Sequence, residues 1–266
     1  MFYQTLEIEQ HAHLATLWLN RPDVRNAFNE TSIAEITHAF RHLDLDREIR
    51  VIVLAARGTA FCAGADLHWM KKMAGHTDQE NLADAGALAE MLKVIYRCSK
   101  PVVARVQGDC YAGGLGLVAA CDMAVATLET GFCLSETRLG LIPATISPYV
   151  IRAIGERAAR RYFLTAERFT AAEAKRMGLV HEVVDEASLD SAVTTLTDAL
   201  LSCSPHALDE AKRLIRDVSC ATIDDELIAD TVRRIADIRS SEQGREGVQA
   251  FLNKRKPLWL VGSHGQ

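Results

Sequence analysis

The sequence predicts an α/β fold, on three observations. Strand-like, loop-like and helix-like runs recur in that order at roughly 50-residue spacing over the first half of the chain. Small residues crowd the strand-to-helix exits, as in Ala63-Gly64-Ala65 and Ala112-Gly113-Gly114. Beyond Leu134 the apolar pattern becomes almost wholly helical, so the order is not a simple βαβ alternation.

Residues 5–9 and 14–19 are rich in β-formers around a turn-like 10–13, which predicts an opening hairpin with His11 and His13 in an exposed turn rather than in a metal pair. Residues 21–29, "RPDVRNAFN", break regular structure. Asn29 can then cap a helix running to about Leu43, with Ile33, Ile36, Phe40 and Leu43 on one face. "VIVLAA", residues 51–56, is a buried strand. "RGTAFCAGADLHWMKKM", residues 57–73, is a loop leading into a short helix. A longer helix is expected over 80–98, stopped by Lys100-Pro101, before the strand "VVARV" at 102–106. A glycine-rich loop, a helix through about Ala120 and a strand at 123–126 follow. In the second half Thr170 and Glu173 have capping-box spacing, Gly178 suits the end of that helix, and 183–184 is a last short strand. Residues 189–201, 207–218, 223–238 and 241–253 have the pattern of successive amphipathic helices, the last with Val248, Phe251 and Leu252 on one stripe. On this reading residues 1–200 form the core and 201–266 a helical region. Its apolar stripes suit packing on its own core and on a neighbouring subunit equally well.

At 266 residues, 48% hydrophobic and 24% charged, the chain has a globular composition and length enough for a substantial core. A formal charge of −5 argues against nucleic acid or an anionic membrane as partner. No run of about 18 apolar residues could span a bilayer. The N-terminal stretch lacks a basic region followed by a long apolar run, so no secretory signal is expected. The seven cysteines, Cys62, Cys98, Cys110, Cys121, Cys133, Cys203 and Cys220, are odd in number and form no CxxC pair, which suits reduced thiols in the cytoplasm.

Motifs narrow the chemistry. G-x-S-x-G, G-x-x-x-x-G-K-[ST] and HExxH do not occur, and cysteine and histidine do not fall at metal-ligand spacing, so no metal site is expected. "GLGLVA", starting at Gly114, does fit the G-x-G-x-x-G/A pattern of a dinucleotide site, with Glu136 about where a ribose-binding acid would fall. That pattern needs its first glycine directly after a strand, yet "QGDCYAG" separates Val106 from Gly114, so a dehydrogenase is not expected. The two small-residue loops suggest something else when taken together. Backbone N–H groups are free at a helix start, and one from each loop could converge as an oxyanion hole for a thioester enolate. Small side chains let a carbonyl approach that closely. For either loop alone, tight helix–strand packing explains the same residues as well.

Five stretches, "RPDVRNAF", "GTAFCAGADL", "KPVVARVQGDCYAGGLGL" with the later "CDMAVA", "SETRLGLIP" and "RFTAAEAKRMGLVHEVV", resemble the successive motifs of the crotonase (enoyl-CoA hydratase/isomerase) superfamily, in its order and spacing. The resemblance covers about residues 5–257. It implies a crotonase-like spiral of ββα units with a helical C-terminal trimerisation region, an assembly of trimers or hexamers, and an acyl-CoA substrate. Coenzyme A then belongs to the substrate, with no separate cofactor. By motif match the oxyanion donors would be the N–H groups of Ala65 and Gly113. Ala63, Ala65, Asp66, Leu67 and His68 would run beside the CoA moiety, Arg25 and Ala27 would line its adenine and pantetheine side, and Phe251 and Lys254 would reach it near a subunit boundary.

Hydratases of this family use two glutamates to hold and activate water. Glu136 matches the second; the first falls on Gly116. Glu136 alone would suffice for moving a proton within an enolate, as a double-bond isomerase does. Against an isomerase, "CLSETRLGLIPATISPYVIRAIGERAARRY" and "FCAGADLHWMKKM" most resemble the bacterial methylglutaconyl-CoA hydratases of leucine breakdown and the isohexenylglutaconyl-CoA hydratases of terpene breakdown, which also carry glycine at that place. The implied reaction is hydration of a branched, carboxylated enoyl-CoA such as 3-methylglutaconyl-CoA, with the substrate's carboxylate or another protein group helping to place the water. Arg138 could pair with that carboxylate but suits a surface role better. Acyl-chain length is expected to depend on residues 69–73 and 142–149. The alternatives are the isomerase and a non-catalytic acyl-CoA or RNA binder, the net charge weighing against RNA.

Overall fold

A computed structural model describes residues 2–261. In chain order its elements are β1 (Leu6–His11), β2 (Leu14–Leu19), α1 (Glu30–Leu45), β3 (Val51–Ala56), α2 (Leu67–Met73), α3 (Asp78–Arg97), β4 (Val102–Val106), β5 (Cys110–Tyr111), α4 (Gly113–Ala120), β6 (Met123–Thr127) and β7 (Gly131–Cys133). They continue with α5 (Ser147–Thr165), β8 (Phe169–Thr170), α6 (Ala171–Met177), β9 (Glu182–Val184), α7 (Leu189–Ser202), α8 (Pro205–Val218), α9 (Asp225–Ser240), α10 (Glu242–Leu252) and α11 (Leu258–Val261).

The opening hairpin forms with Leu6 opposite Leu19 and His11 opposite Leu14. Gln10 and His11 stay in the ladder, so the turn is shorter than the expected 10–13 and Ala12 takes a left-handed φ of 50°. The large sheet runs β1-β2-β3-β4-β6-β9 and is parallel beyond the hairpin. β3 is buried at every position, which explains why "VIVLAA" is uniformly apolar rather than alternating. α1 starts as expected, Asn29 Oδ1 accepting the Ser32 N–H at 3.0 Å, and it buries Ile33, Ile36, Phe40 and Leu43 against this core.

A second sheet, β5-β7-β8, has strands of two or three residues, too short to leave a period-2 pattern, and the sequence reading lacks all of them. α3 begins two residues earlier than expected because Thr77 and Glu80 form a reciprocal capping box. At α6 only half of the expected box is made: Thr170 Oγ1 accepts the Glu173 N–H, but the Glu173 carboxylate turns to Tyr162 and Arg176 instead. The ββα spiral followed by helices expected from the resemblance is the observed arrangement.

The chain forms two compact units. One comprises the residues through Cys98 with Val102–Thr197; the other comprises Ser99–Pro101 with the residues from Asp198 onward. The second unit takes in the short link before β4, and Lys212 Nζ donates to Lys100 O at 2.7 Å within it. Ser204 both caps α8 and donates to Gln243 Oε1 on α10. α8 and α9 bury no residue in the single chain, and Ile223 and Phe251 are more than four-fifths exposed. Among the described residues no helix is long and apolar enough to cross a membrane, no group of three or more His, Cys, Asp or Glu could hold a metal ion, and none of the seven cysteines is in a disulfide.

Candidate active site

Two loops build the site, and each is held by local bonds that the sequence encodes. In "RPDVRNAF", Arg25 and Asn26 both take left-handed φ, 53° and 54°, which turns the Asn26 side chain inward. Its amide donates to Arg57 O at 2.8 Å and Ala60 O at 2.9 Å, and its Oδ1 accepts the Arg21 N–H at 2.8 Å. The "GTAFCAGADL" loop is thereby fastened to the stretch before α1. The Phe28 N–H donates to Gly64 O and the Asp66 N–H to Phe28 O, so the Ala65 N–H between them points the other way, where no described acceptor meets it.

On the second loop the Ala112 N–H donates to Cys133 O at 2.8 Å. Ala112 itself sits at φ 48°, ψ −121°, a conformation costly for a residue with a Cβ and held here by its surroundings. The turn makes Gly113 the first residue of α4, where its N–H has no partner within the helix. Only glycine fits there, since a Cβ would lie 2.3 Å from Phe28 Cζ. The loops also touch: a Cβ at Gly64 would stand 3.0 Å from that of Ala112.

A cavity of about 380 Å³ opens where these loops meet, lined by Ala65, Ala112, Gly113 and Glu136. Two larger grooves, about 580 Å³ beside α10 and α11 and about 650 Å³ along α5 and α6, are lined by no residue of either loop. Glu136 opens a short 3-10 turn, Glu136–Leu139, after β7. Its Oε2 is buried and has no hydrogen-bond partner. Burial pushes its carboxyl above the usual carboxylate range, only partly offset by a bond from its own backbone N–H. Two free N–H groups and the buried, unpartnered Glu136 Oε2 therefore share one small, largely apolar space. That arrangement can hold a carbonyl oxygen that gains negative charge and move a proton beside it.

The structure brings together Ala65, Gly113 and Glu136 from the sequence reading. Residues 69–73 and 142–149 also contribute, through Trp69, Met73 and Ile142 to Ile146. The other expected contacts do not line the cavity. Asp66 caps α2, accepting the His68 N–H at 2.7 Å, and pairs with Arg21 at 2.9 Å. Burial opposes its ionisation, but the Arg21 bond and the His68 and Trp69 N–H groups outweigh that and hold the carboxyl below its usual range. Ala27 is buried beneath the loop, Ala63 donates its N–H to Arg25 O, and Arg25, Leu67 and His68 are exposed. Arg138 is exposed and absent from the lining. Phe251 and Lys254 lie in the second unit, exposed, at the end of α10 and just after it.

Sequence reasoning misses the wall supplied by α3, where Asn81, Asp84, Ala85 and Leu88 face the cavity. Their i, i+3, i+4, i+7 spacing is the available signal, but three of the four positions are polar or small and do not stand out as a buried face. It also misses Phe28, which lies under Gly113 and meets Trp69 edge-on at 6.2 Å between ring centres.

Residues 9–261 match the family model of enoyl-CoA hydratase/isomerase. The solved structure of an enoyl-CoA hydratase from Shewanella pealeana superposes with a TM-score of 0.94 at 43% identity, covering 96% of each chain. Pseudomonas aeruginosa AtuE superposes with a TM-score of 0.92 at 33% identity over 96% of this chain and 99% of its own. Among curated proteins, the mevalonyl-coenzyme A hydratase sidH of Aspergillus fumigatus is 32% identical over 93% of this chain and 91% of its own length. This chain therefore belongs to the enoyl-CoA hydratase/isomerase family and is an enzyme of that lyase/isomerase class.

Proposed function

We propose that the chain hydrates a branched, carboxylated enoyl-CoA of the 3-methylglutaconyl type. The observation that carries the chemistry is the unpartnered Glu136 Oε2 in the same cavity as the free Ala65 and Gly113 N–H groups. The thioester oxygen accepts from both N–H groups. Glu136 takes a proton from water as the water oxygen bonds to C3; the C2–C3 π electrons pass into the enolate, which the two N–H groups stabilise. Glu136 then returns the proton to C2, so one water is added and the carboxylate is regenerated.

The motif resemblance supports the acyl class, and the relative named for mevalonyl-coenzyme A, also a branched acyl thioester, supports the branch. Asn81 and Thr145 offer neutral donors to a distal carboxylate. The CoA moiety runs past Arg25, Ala27, Ala63, Asp66, Leu67 and His68, with Phe251 and Lys254 near a subunit boundary. The exposed apolar faces of α8 to α10 are then covered by further copies in a trimer or hexamer. A second reading, double-bond isomerisation, is favoured by Gly116 standing where a second motif glutamate would be, which leaves Glu136 as the motif carboxylate, its buried Oε2 without a partner.

A panel of CoA esters tests these readings together. Loss of the conjugated thioester absorbance with a 3-hydroxyacyl product is expected, faster for 3-methylglutaconyl-CoA than for crotonyl-CoA. Equal rates would remove the carboxylate from the proposal, and double-bond migration without a hydroxylated product would establish the isomerase.

A further inference from the structure

The niche at Gly116 bears on the shape of the acyl group. Gly116 follows Gly113 by one turn of α4, roughly 4.5 Å along the axis, on the same side of the helix. A Cβ at Gly116 would meet Ile146 Cγ2 at 2.3 Å and Ile146 Cβ at 2.8 Å, with Leu92 Cδ2 at 3.5 Å behind. The Ile146 side chain thus fills the volume that any larger residue at 116 would need. It is almost wholly buried, yet it lines the cavity together with Gly113 and Glu136. A thioester oxygen on the Gly113 N–H is only three bonds from the β-carbon, which therefore sits in the cavity that Ile146 lines.

We infer that Ile146, seated in the Gly116 niche, determines specificity by presenting a branched apolar wall to the β-carbon and selecting enoyl thioesters that carry an alkyl branch there. The inference rests on the hydratase reading and deepens it. A β-methyl packs against the isoleucine; a β-hydrogen leaves that contact unmade. The pairing also requires glycine at 116, because the two side chains compete for one space.

The test uses the full chain with 3-methylcrotonyl-CoA and crotonyl-CoA, which differ in the β-methyl alone and both lack a distal carboxylate. The parent is expected to favour the methylated ester in kcat/KM by about tenfold or more, the range one methyl earns in an apolar pocket. Ile146→Ala should bring the ratio towards one, with Ile146→Val in between and available should the alanine variant not fold. Gly116→Ala should lose turnover, and Ile146→Ala added to it should restore part of it. A parent ratio of one or below, or a ratio unchanged in a folded Ile146 variant, overturns the inference while leaving the hydratase reading intact. A parent that hydrates no ester in the panel overturns that reading, and this inference with it.

Discussion

Replacing Glu136 by glutamine should make the protein inactive and, at alkaline pH, more stable. The loss of activity follows from removing the group that exchanges protons with water and C2, and is expected to be about 10²- to 10⁴-fold in kcat. The gain in stability follows from the buried Oε2, which has no partner. A buried polar group left unsatisfied costs about 1–3 kcal/mol. Glutamine keeps the polarity but removes the charge, so a gain of about 1 kcal/mol is expected, raising Tm by roughly 2–4 °C. The pH dependence fixes the sign. Glu136 holds its proton to higher pH in the native state than in the unfolded chain, where its ordinary value is 4.5. Above 4.5 the parent therefore loses stability as pH rises, until the native carboxyl has ionised too; below 4.5 both states are protonated and the parent and variant converge. Thermal melts of both proteins at pH 4 and pH 8 should show a gap only at pH 8. The acid limb of log kcat/KM against pH should likewise turn above the ordinary carboxylate range. A variant with parental turnover, or one that melts lower than the parent at pH 8, would refute the assignment.

Gly113→Ala places a Cβ 2.3 Å from Phe28 Cζ and must move either the ring or the donor; kcat should fall by roughly 10²-fold, while calorimetric affinity for a non-reacting acyl-CoA falls far less. Asp66→Asn breaks the ion pair to Arg21 and weakens the cap of α2. Because the Asp66 carboxyl lies below its usual 3.8 in the folded protein, its contribution is present at neutral pH and lost as pH falls through the folded value. Urea midpoints should show a deficit of about 2 kcal/mol at pH 7 that shrinks at pH 3.

The parts of this protein that are legible from residue order are those in which neighbours along the chain decide the outcome. Asn29 caps α1 through a bond three residues away, and β3 declares itself because it is buried on both faces. The two loops proposed as the oxyanion hole show because small residues at strand-to-helix exits are unusual, and Glu136 because its motif is contiguous. The short strands of the second sheet are invisible for the opposite reason: β5 and β8 have two residues each and exist only through their partners across the sheet. The wall of α3 escapes notice because Asn81 and Asp84 look like solvent-facing residues until the cavity is there to face. Asp66 looks like a ligand contact by motif, yet Arg21 and the start of α2 take up both of its oxygens.

Family, element order and the carboxylate proposed to move the proton follow from local pattern and motif spacing, since each depends on residues close together in the chain. Folding had to decide what stands in place of the missing glutamate. Gly116 by itself means only an absent side chain. That its niche is filled by Ile146, from a segment beyond β7, is a matter of long-range packing, where two side chains cannot share one volume. The same packing turns a gap in the motif into an apolar wall of the cavity.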